Sequence, residues 1–184
     1  FRTSQDIDIF INSNDILKTT KTLLDNDYKI IDLHKNILNN QNALKYINWV
    51  DYSFKFNKNI FEKNFEIDLH WALSYNRKHL PSFDKSWDTK NHLNLQGNKF
   101  NILSPINNFI HLCAHSAKDG WMIQRDLVEI YLLARKFPKE ILEDLKKIKF
   151  VRNSIYASNL LIIQDDQFII SKKEIKKIKK IHKI

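Results

Sequence analysis

Glycine is nearly missing from this chain, with two residues in 184, and proline and cysteine number only three and one. So little glycine argues against a Gly-rich phosphate loop within these residues, and neither a Walker-type nor a Rossmann glycine fingerprint is present. The single cysteine, Cys113, excludes an intramolecular disulfide framework and fits a reducing cytoplasm, the expected location. No apolar run approaches the roughly eighteen residues of a membrane span, and no stretch reads as a secretory signal. Acidic residues are short, 21 against 30 lysines and arginines, for a formal charge of +9. Such an excess points toward a polyanionic partner. Its distribution weakens that inference: seven lysines lie between Lys172 and Lys183, where Glu174 is the only acid. The rest of the chain is mildly basic, which suits a nucleoside triphosphate and does not require a nucleic acid.

What is present is a core-forming composition, 43% hydrophobic and 12% aromatic, in a length that fits one domain or a small domain with a helical appendage. The bias toward Lys, Asn and Ile matches an AT-rich genome. The chain opens on Phe1 in what reads as a turn entering a strand, so natural sequence is expected upstream.

Alternation predicts strands at Asp6–Ile11, Tyr28–Leu33, Tyr52–Phe56 and Asn64–Leu73, with a hairpin at His92–Leu95 and Lys99–Leu103 around Gln96-Gly97-Asn98. A helix is predicted from Asp15 to Asp25, with Ile16, Leu17, Thr20, Leu23 and Leu24 on one face. From Ser104-Pro105 onward only helices are predicted: Pro105–Ala117, Gly120–Lys136, Pro138–Lys147, Val151–Ile163 and Ser171–Ile184. The expected fold class is α+β: a small mixed-sheet core over 1–103, then a helical region over 104–184.

Asp6 and Asp8, two apart on a strand, project from one face. Close carboxylates repel unless a cation neutralises them, and hard oxygen ligands of this kind suit Mg2+. On Asn64–Leu73, Glu66, Asp68 and His70 share one face, while Phe65, Ile67, Leu69 and Trp71 share the other. Asp68, on a neighbouring antiparallel strand, is the expected third metal carboxylate. The bland alternative is that Asp6 and Asp8 mark the solvent face of an edge strand, since an Asp-x-Asp pair is short and frequent.

The segment Arg2-Thr3-Ser4-Gln5-Asp6-Ile7-Asp8-Ile9-Phe10-Ile11 resembles the Arg-x-Ser-x-Asp-[IL]-Asp-[IL]-[LF]-[VI] signature of polymerase-beta-like nucleotidyltransferases. More narrowly, the chain is similar to a bacterial family of uncharacterised nucleotidyltransferases. Three blocks carry the resemblance in order: Asp6–Ile11, Glu66–Trp71, and Leu103 through Asp126 with His111, His115, Trp121 and Asp126. It spans roughly 2–135.

The resemblance implies a small mixed sheet flanked by helices, and transfer of a nucleoside monophosphate from an NTP to an acceptor hydroxyl. Asp6, Asp8 and Asp68 would bind the metal, Mg2+, with Asp68 assisting deprotonation of the acceptor. Arg2 and Ser4 would lie beside the triphosphate. The superfamily also carries a Gly-Ser or Gly-Gly turn upstream of the strand with the aspartates, and these residues do not include it. Two readings follow: an enzyme whose upstream element lies outside this chain, or a catalytically degenerate relative that binds or regulates a partner.

His70 reads equally as a phosphate or acceptor contact and as a structural histidine. His111 and His115, four apart on a helix, have zinc-binding spacing, but the zincin glutamate is replaced by Leu112. With Lys118 and Asp126 they read as substrate-side residues or as a polar network, Asp126 orienting His115 or Arg125. Cys113 and the four tryptophans read as packing. The tail 171–184 either docks through Ile175, Ile178 and Ile181 or lies on an anionic surface. A nucleic-acid-binding module is the least favoured reading, and acceptor and oligomeric state are not legible.

Overall fold

The structure, a computed structural model, describes residues 6–31, 46–48, 51–74 and 77–162. Arg2, Ser4, Trp49 and the basic tail lie outside the described residues. Among those described, no helix is long and apolar enough to cross a membrane. The chain forms two compact units, residues 1–90 and 91–184. The change from strands to helices falls inside the second, at 103/104.

The first unit is built on a four-stranded mixed sheet of β1 (Asp6–Phe10), β2 (Lys29–Ile30), β3 (Ser53–Ile60) and β4 (Lys63–His70), in the order β1-β4-β3-β2. β3 and β4 are an antiparallel hairpin in which Ile60 pairs with Lys63. Its two loop residues, Phe61 and Glu62, both take positive φ, 48° and 63°. That is the twist a two-residue hairpin needs, met here without glycine. β1 lies on the other side of β4 and runs parallel to it. The expectation of an antiparallel neighbour for the Asp6–Asp8 strand is therefore corrected. α1 (Ile16–Asp25) carries the chain from β1 to β2 at the far edge, so β1 is left to pair with β4 in the same direction.

Alternation along the strands decides what is buried. Phe54 and Phe56 of β3 pair with Leu69 and Ile67 of β4, and together with Trp71, Ile16 and Ile47 they form the core. Ile9 and Ile11 pack against this cluster from the β1 side, and Leu23, Tyr28 and Ile30 from the segment 16–30. Of the predicted α1 face, Ile16 and Thr20 are buried, while Leu17 is exposed. The strand expected over Tyr28–Leu33 is described only at Lys29–Ile30. A short helix, α2 (Phe83–Asp88), is capped by Ser82, whose Oγ accepts from Lys85 N at 3.4 Å.

In the second unit β5 (Asn91–Leu95) and β6 (Asn98–Ile102) form an antiparallel hairpin closed by Gln96 and Gly97, both at positive φ. Among the described residues four helices follow: α3 (Pro105–Lys118), α4 (Gln124–Ala134), α5 (Lys139–Lys146) and α6 (Lys149–Ile162). Ser104 caps α3, its Oγ accepting from Asn107 N at 3.3 Å, with Pro105 in the first turn. Phe109, Cys113, Ile130, Val151 and Ile155 are buried at three- and four-residue spacings along their helices, and α6 packs on both α3 and α4. The helix expected from Gly120 begins instead at Gln124. Gly120 and Trp121 take φ of 64° and 59°, which ends α3 and turns the chain before α4 can start. Trp121 uses that turn: its Nε1–H donates to Ser154 Oγ at 2.9 Å, and the Ser154 hydroxyl donates to the Cys113 carbonyl at 3.1 Å. The observed architecture is the α+β class expected, a small mixed sheet followed by helices.

Candidate active site

Parallel pairing of β1 with β4 sets Asp8 directly beside Asp68, and Asp6 beside Glu66. Residues paired in register share a face of the sheet, so the predicted acidic face is assembled from both strands. The opposite face holds Ile9, Ile67 and Leu69 against the core, which fixes which way the carboxylates point. β3 adds a cation: Lys55 is the register partner of Asp68, and its Nζ lies 3.8 Å from Asp68 Oδ2.

His70 completes the group. Its Nε2 lies 3.1 Å from Asp8 Oδ1 and 4.0 Å from Asp68 Oδ2, and its ring stacks on Tyr52 at 5.7 Å. Donor atoms of Asp8, Asp68 and His70 all fall within 4.8 Å of one another. Exposure differs sharply among them: the side chain of Asp8 is 62% exposed, that of Asp68 15% and that of His70 9%. One carboxylate thus faces solvent while another sits deep beside an immobilised imidazole.

Burial pushes the Asp68 carboxyl above its ordinary value; Lys55 and His70 pull it down, and Asp8 and Asp6 push it up again. A half-buried carboxyl held above its usual range accepts a proton more readily than an exposed aspartate does, which is what a general base requires. Like charges gathered beside it are what a bound cation would relieve. The residues fit a divalent metal on these grounds: oxygen donors from two strands, a nitrogen donor, and an electrostatic strain in its absence.

A cavity of about 330 Å3 lies in the same unit, past the C-terminal ends of β1 and β4. Asn12, Trp71, Arg77, Leu80, Phe83 and Asp84 are among its walls. Asn12 Nδ2 donates to Asp84 Oδ1 at 3.2 Å, while the Arg77 guanidinium donates to the carbonyls of Asn48 and Asp51, the latter at 2.9 Å. Open α/β sheets bind ligands at the carboxyl ends of parallel strands, and β1 and β4 are the parallel pair here.

The His block forms a separate cluster in the second unit. His115 Nδ1 lies 3.4 Å from Asp119 Oδ2 and 3.7 Å from Asp126 Oδ2, and Arg125 Nε is 3.5 Å from Asp126 Oδ1. Asp126 is buried, with one oxygen toward His115 and the other toward Arg125, the two candidates for orientation. His111 reaches His115 ring to ring at 6.4 Å, and Lys118 ends α3 on its exposed side. Cys113 is fully buried, and burial pushes its thiol far up, so it is a packing residue. Trp71 belongs to the core; Trp87 is half-exposed, stacked on Phe83 and covered by Lys90 at 4.3 Å.

Reasoning from the sequence brought together Asp6, Asp8, Asp68 and His70. It did not find Lys55, Tyr52 or the cavity residues Asn12, Arg77 and Asp84. The β3–β4 register names Lys55, and that register was open to view only if Phe61-Glu62 had been read as the turn; Tyr52 enters through its ring contact with His70.

Comparison with known protein families matches residues 1–160 to a family described as uncharacterised nucleotidyltransferase. No curated protein and no solved structure gives a match.

Proposed function

The chain belongs to a family of uncharacterised nucleotidyltransferases, and from that premise we propose that it transfers a nucleoside monophosphate from an NTP to an acceptor hydroxyl at Asp6, Asp8 and Asp68. The observation that carries this reading is the in-register pairing of Asp8 with Asp68 on parallel strands, with Asp6 two residues along the same face. We place the family in the polymerase-beta-like superfamily, in a bacterial protein, on the motif resemblance, and its location in the cytoplasm on the single cysteine.

Asp6, Asp8 and Asp68 would hold a divalent cation, Mg2+ being the one the resemblance implies. When bound, that cation neutralises triphosphate charge and acidifies the attacking hydroxyl. Asp68 takes the acceptor proton, for which its raised carboxyl is suited. The acceptor oxygen then bonds to the α-phosphorus as the bond to the bridging oxygen breaks, and pyrophosphate leaves in line. Lys55, 3.8 Å from Asp68, places a positive charge beside the site. Arg2 and Ser4 lie beside the triphosphate, as the resemblance implies. The cavity at the ends of β1 and β4, with a polar rim at Asn12 and Asp84 and an apolar wall at Leu80 and Phe83, is assigned to the acceptor. A substrate-side role for His111, His115, Lys118 and Asp126 rests on the motif resemblance alone, and a nucleic acid is not the favoured acceptor.

Calorimetric titration of ATP, GTP, CTP and UTP with Mg2+ tests the reading, on this chain and on a form extended upstream. Metal-dependent binding of one NTP, lost in the Asp6→Asn/Asp8→Asn double variant, is the expected result. Binding that survives the double variant unchanged would sink the proposal.

A further inference from the structure

His70 stands out because its orientation is fixed toward the carboxylates. The two-residue step from Asp68 places it on the acidic face of β4. Stacking on Tyr52, at 5.7 Å and 29°, and a side chain only 9% exposed leave the ring little freedom to turn away. Nε2 therefore stays 3.1 Å from Asp8 Oδ1 and 4.0 Å from Asp68 Oδ2. Two neighbouring ligands of one octahedral cation, each at about 2.1 Å, stand about 3 Å apart, and opposite ligands stand about 4.2 Å apart. Both separations from Nε2 lie within that range, and the Asp8 and Asp68 oxygens lie within 4.8 Å of one another, so side-chain rotations that close the latter gap let one cation meet all three groups.

We propose that His70 Nε2 is a metal ligand beside Asp8 and Asp68, making a mixed nitrogen–oxygen site that prefers Mn2+ to Mg2+. The inference rests on the reading that these aspartates hold a cation, and adds the donor that sets which cation binds best. Mg2+ takes hard oxygen donors and keeps its waters, whereas an imidazole nitrogen suits first-row transition ions. Nε2, 3.1 Å from Asp8 Oδ1, ligates the ion through its lone pair once the ring proton sits on Nδ1. The rival role is a spacer, a histidine that bridges Asp8 and Asp68 and contributes nothing to metal choice. Asp6 is not part of the three-donor set among the described residues.

Mn2+ reports its ligands magnetically, so the test needs no turnover. The chain is titrated with Mn2+ and with Mg2+ in the absence of nucleotide, and the Mn2+-loaded protein is measured by pulsed electron paramagnetic resonance. A nitrogen coupling on bound Mn2+ is expected in the wild type and is expected to vanish in His70→Gln. The same substitution should cut the Mn2+-over-Mg2+ affinity ratio by about tenfold or more, since it offers an amide in place of the imidazole. Bound Mn2+ without nitrogen coupling in the wild type overturns the proposal and leaves the aspartate reading standing. Coupling that persists unchanged in His70→Gln assigns the nitrogen to another histidine and also overturns it. Failure of the wild type to bind either ion without nucleotide overturns the His70 proposal, and the aspartate reading is then decided by the Mg2+–NTP titration.

Discussion

Asp68 is buried enough to resist ionisation and faces Asp8, so replacing it by Asn should stabilise the metal-free protein at neutral pH. The folded carboxyl titrates above its ordinary value of 3.8, chiefly because of burial. Folding therefore favours its protonated form: the associated stability is complete below the unfolded pKa and is lost as pH rises through the folded one. At pH 7 the ionised carboxylate is a liability. Its donor oxygen lies within 4.8 Å of that of Asp8, a separation at which two like charges repel by about 1 kcal/mol in water and about 3 kcal/mol at an effective dielectric of 20. Asp8 is 62% exposed, so the lower figure applies. The pair with Lys55, itself 52% exposed, returns about 0.2–1 kcal/mol, and relief from desolvation offsets that loss. The net gain for Asp68→Asn is about 1 kcal/mol, or roughly 4–8 °C in Tm for a unit of this size. Thermal unfolding in EDTA, followed by near-ultraviolet circular dichroism from pH 3 to 8, measures it. The gain should fade as pH drops toward 3.8, and saturating divalent cation should reverse the order by stabilising the wild type alone. A variant that melts below the wild type in EDTA at pH 7 would show that the carboxylate is a structural partner and no liability to the fold.

Two further outcomes concern the helical unit. Ser154→Ala removes the acceptor of the Trp121 indole N–H and the donor to the Cys113 carbonyl, so it should destabilise by about 1–3 kcal/mol; denaturant titration giving under about 0.5 kcal/mol would refute the clamp. Cys113, buried with its thiol pushed up, should resist a thiol reagent in the native protein and react only on unfolding. Fast native labelling would contradict the packing.

Much of the site was legible because it depends on local alternation. Asp6 and Asp8 had to share a face once Asp6–Phe10 was a strand, and Asp68 and His70 had to share one on β4. The apolar residues between them chose which face was buried. The helical half was legible for the same reason, through Ser104-Pro105 and the three- and four-residue spacing of apolar positions. The turn at Gly120-Trp121 was not. A bulky residue in the left-handed region carries no local signal, and here hydrogen bonding of the indole to Ser154 accompanies it.

Strand direction was equally hidden. Nothing in Asp6–Ile11 or Asn64–Leu73 says whether the two run parallel, because backbone pairing is indifferent to which side chains flank it. Only the path of α1 to the far edge of the sheet leaves β1 beside β4 in the same direction. The hairpin register, which brings Lys55 to Asp68 and Ser53 to His70, follows from a turn at Phe61 and Glu62 that lacks the residues such turns usually show. Residue type and period-two alternation determined which groups the candidate site offers and which face they occupy. The tertiary structure alone decided their neighbours, since distances between strands are set by long-range pairing and by the shared core of Phe54, Phe56, Ile67 and Leu69.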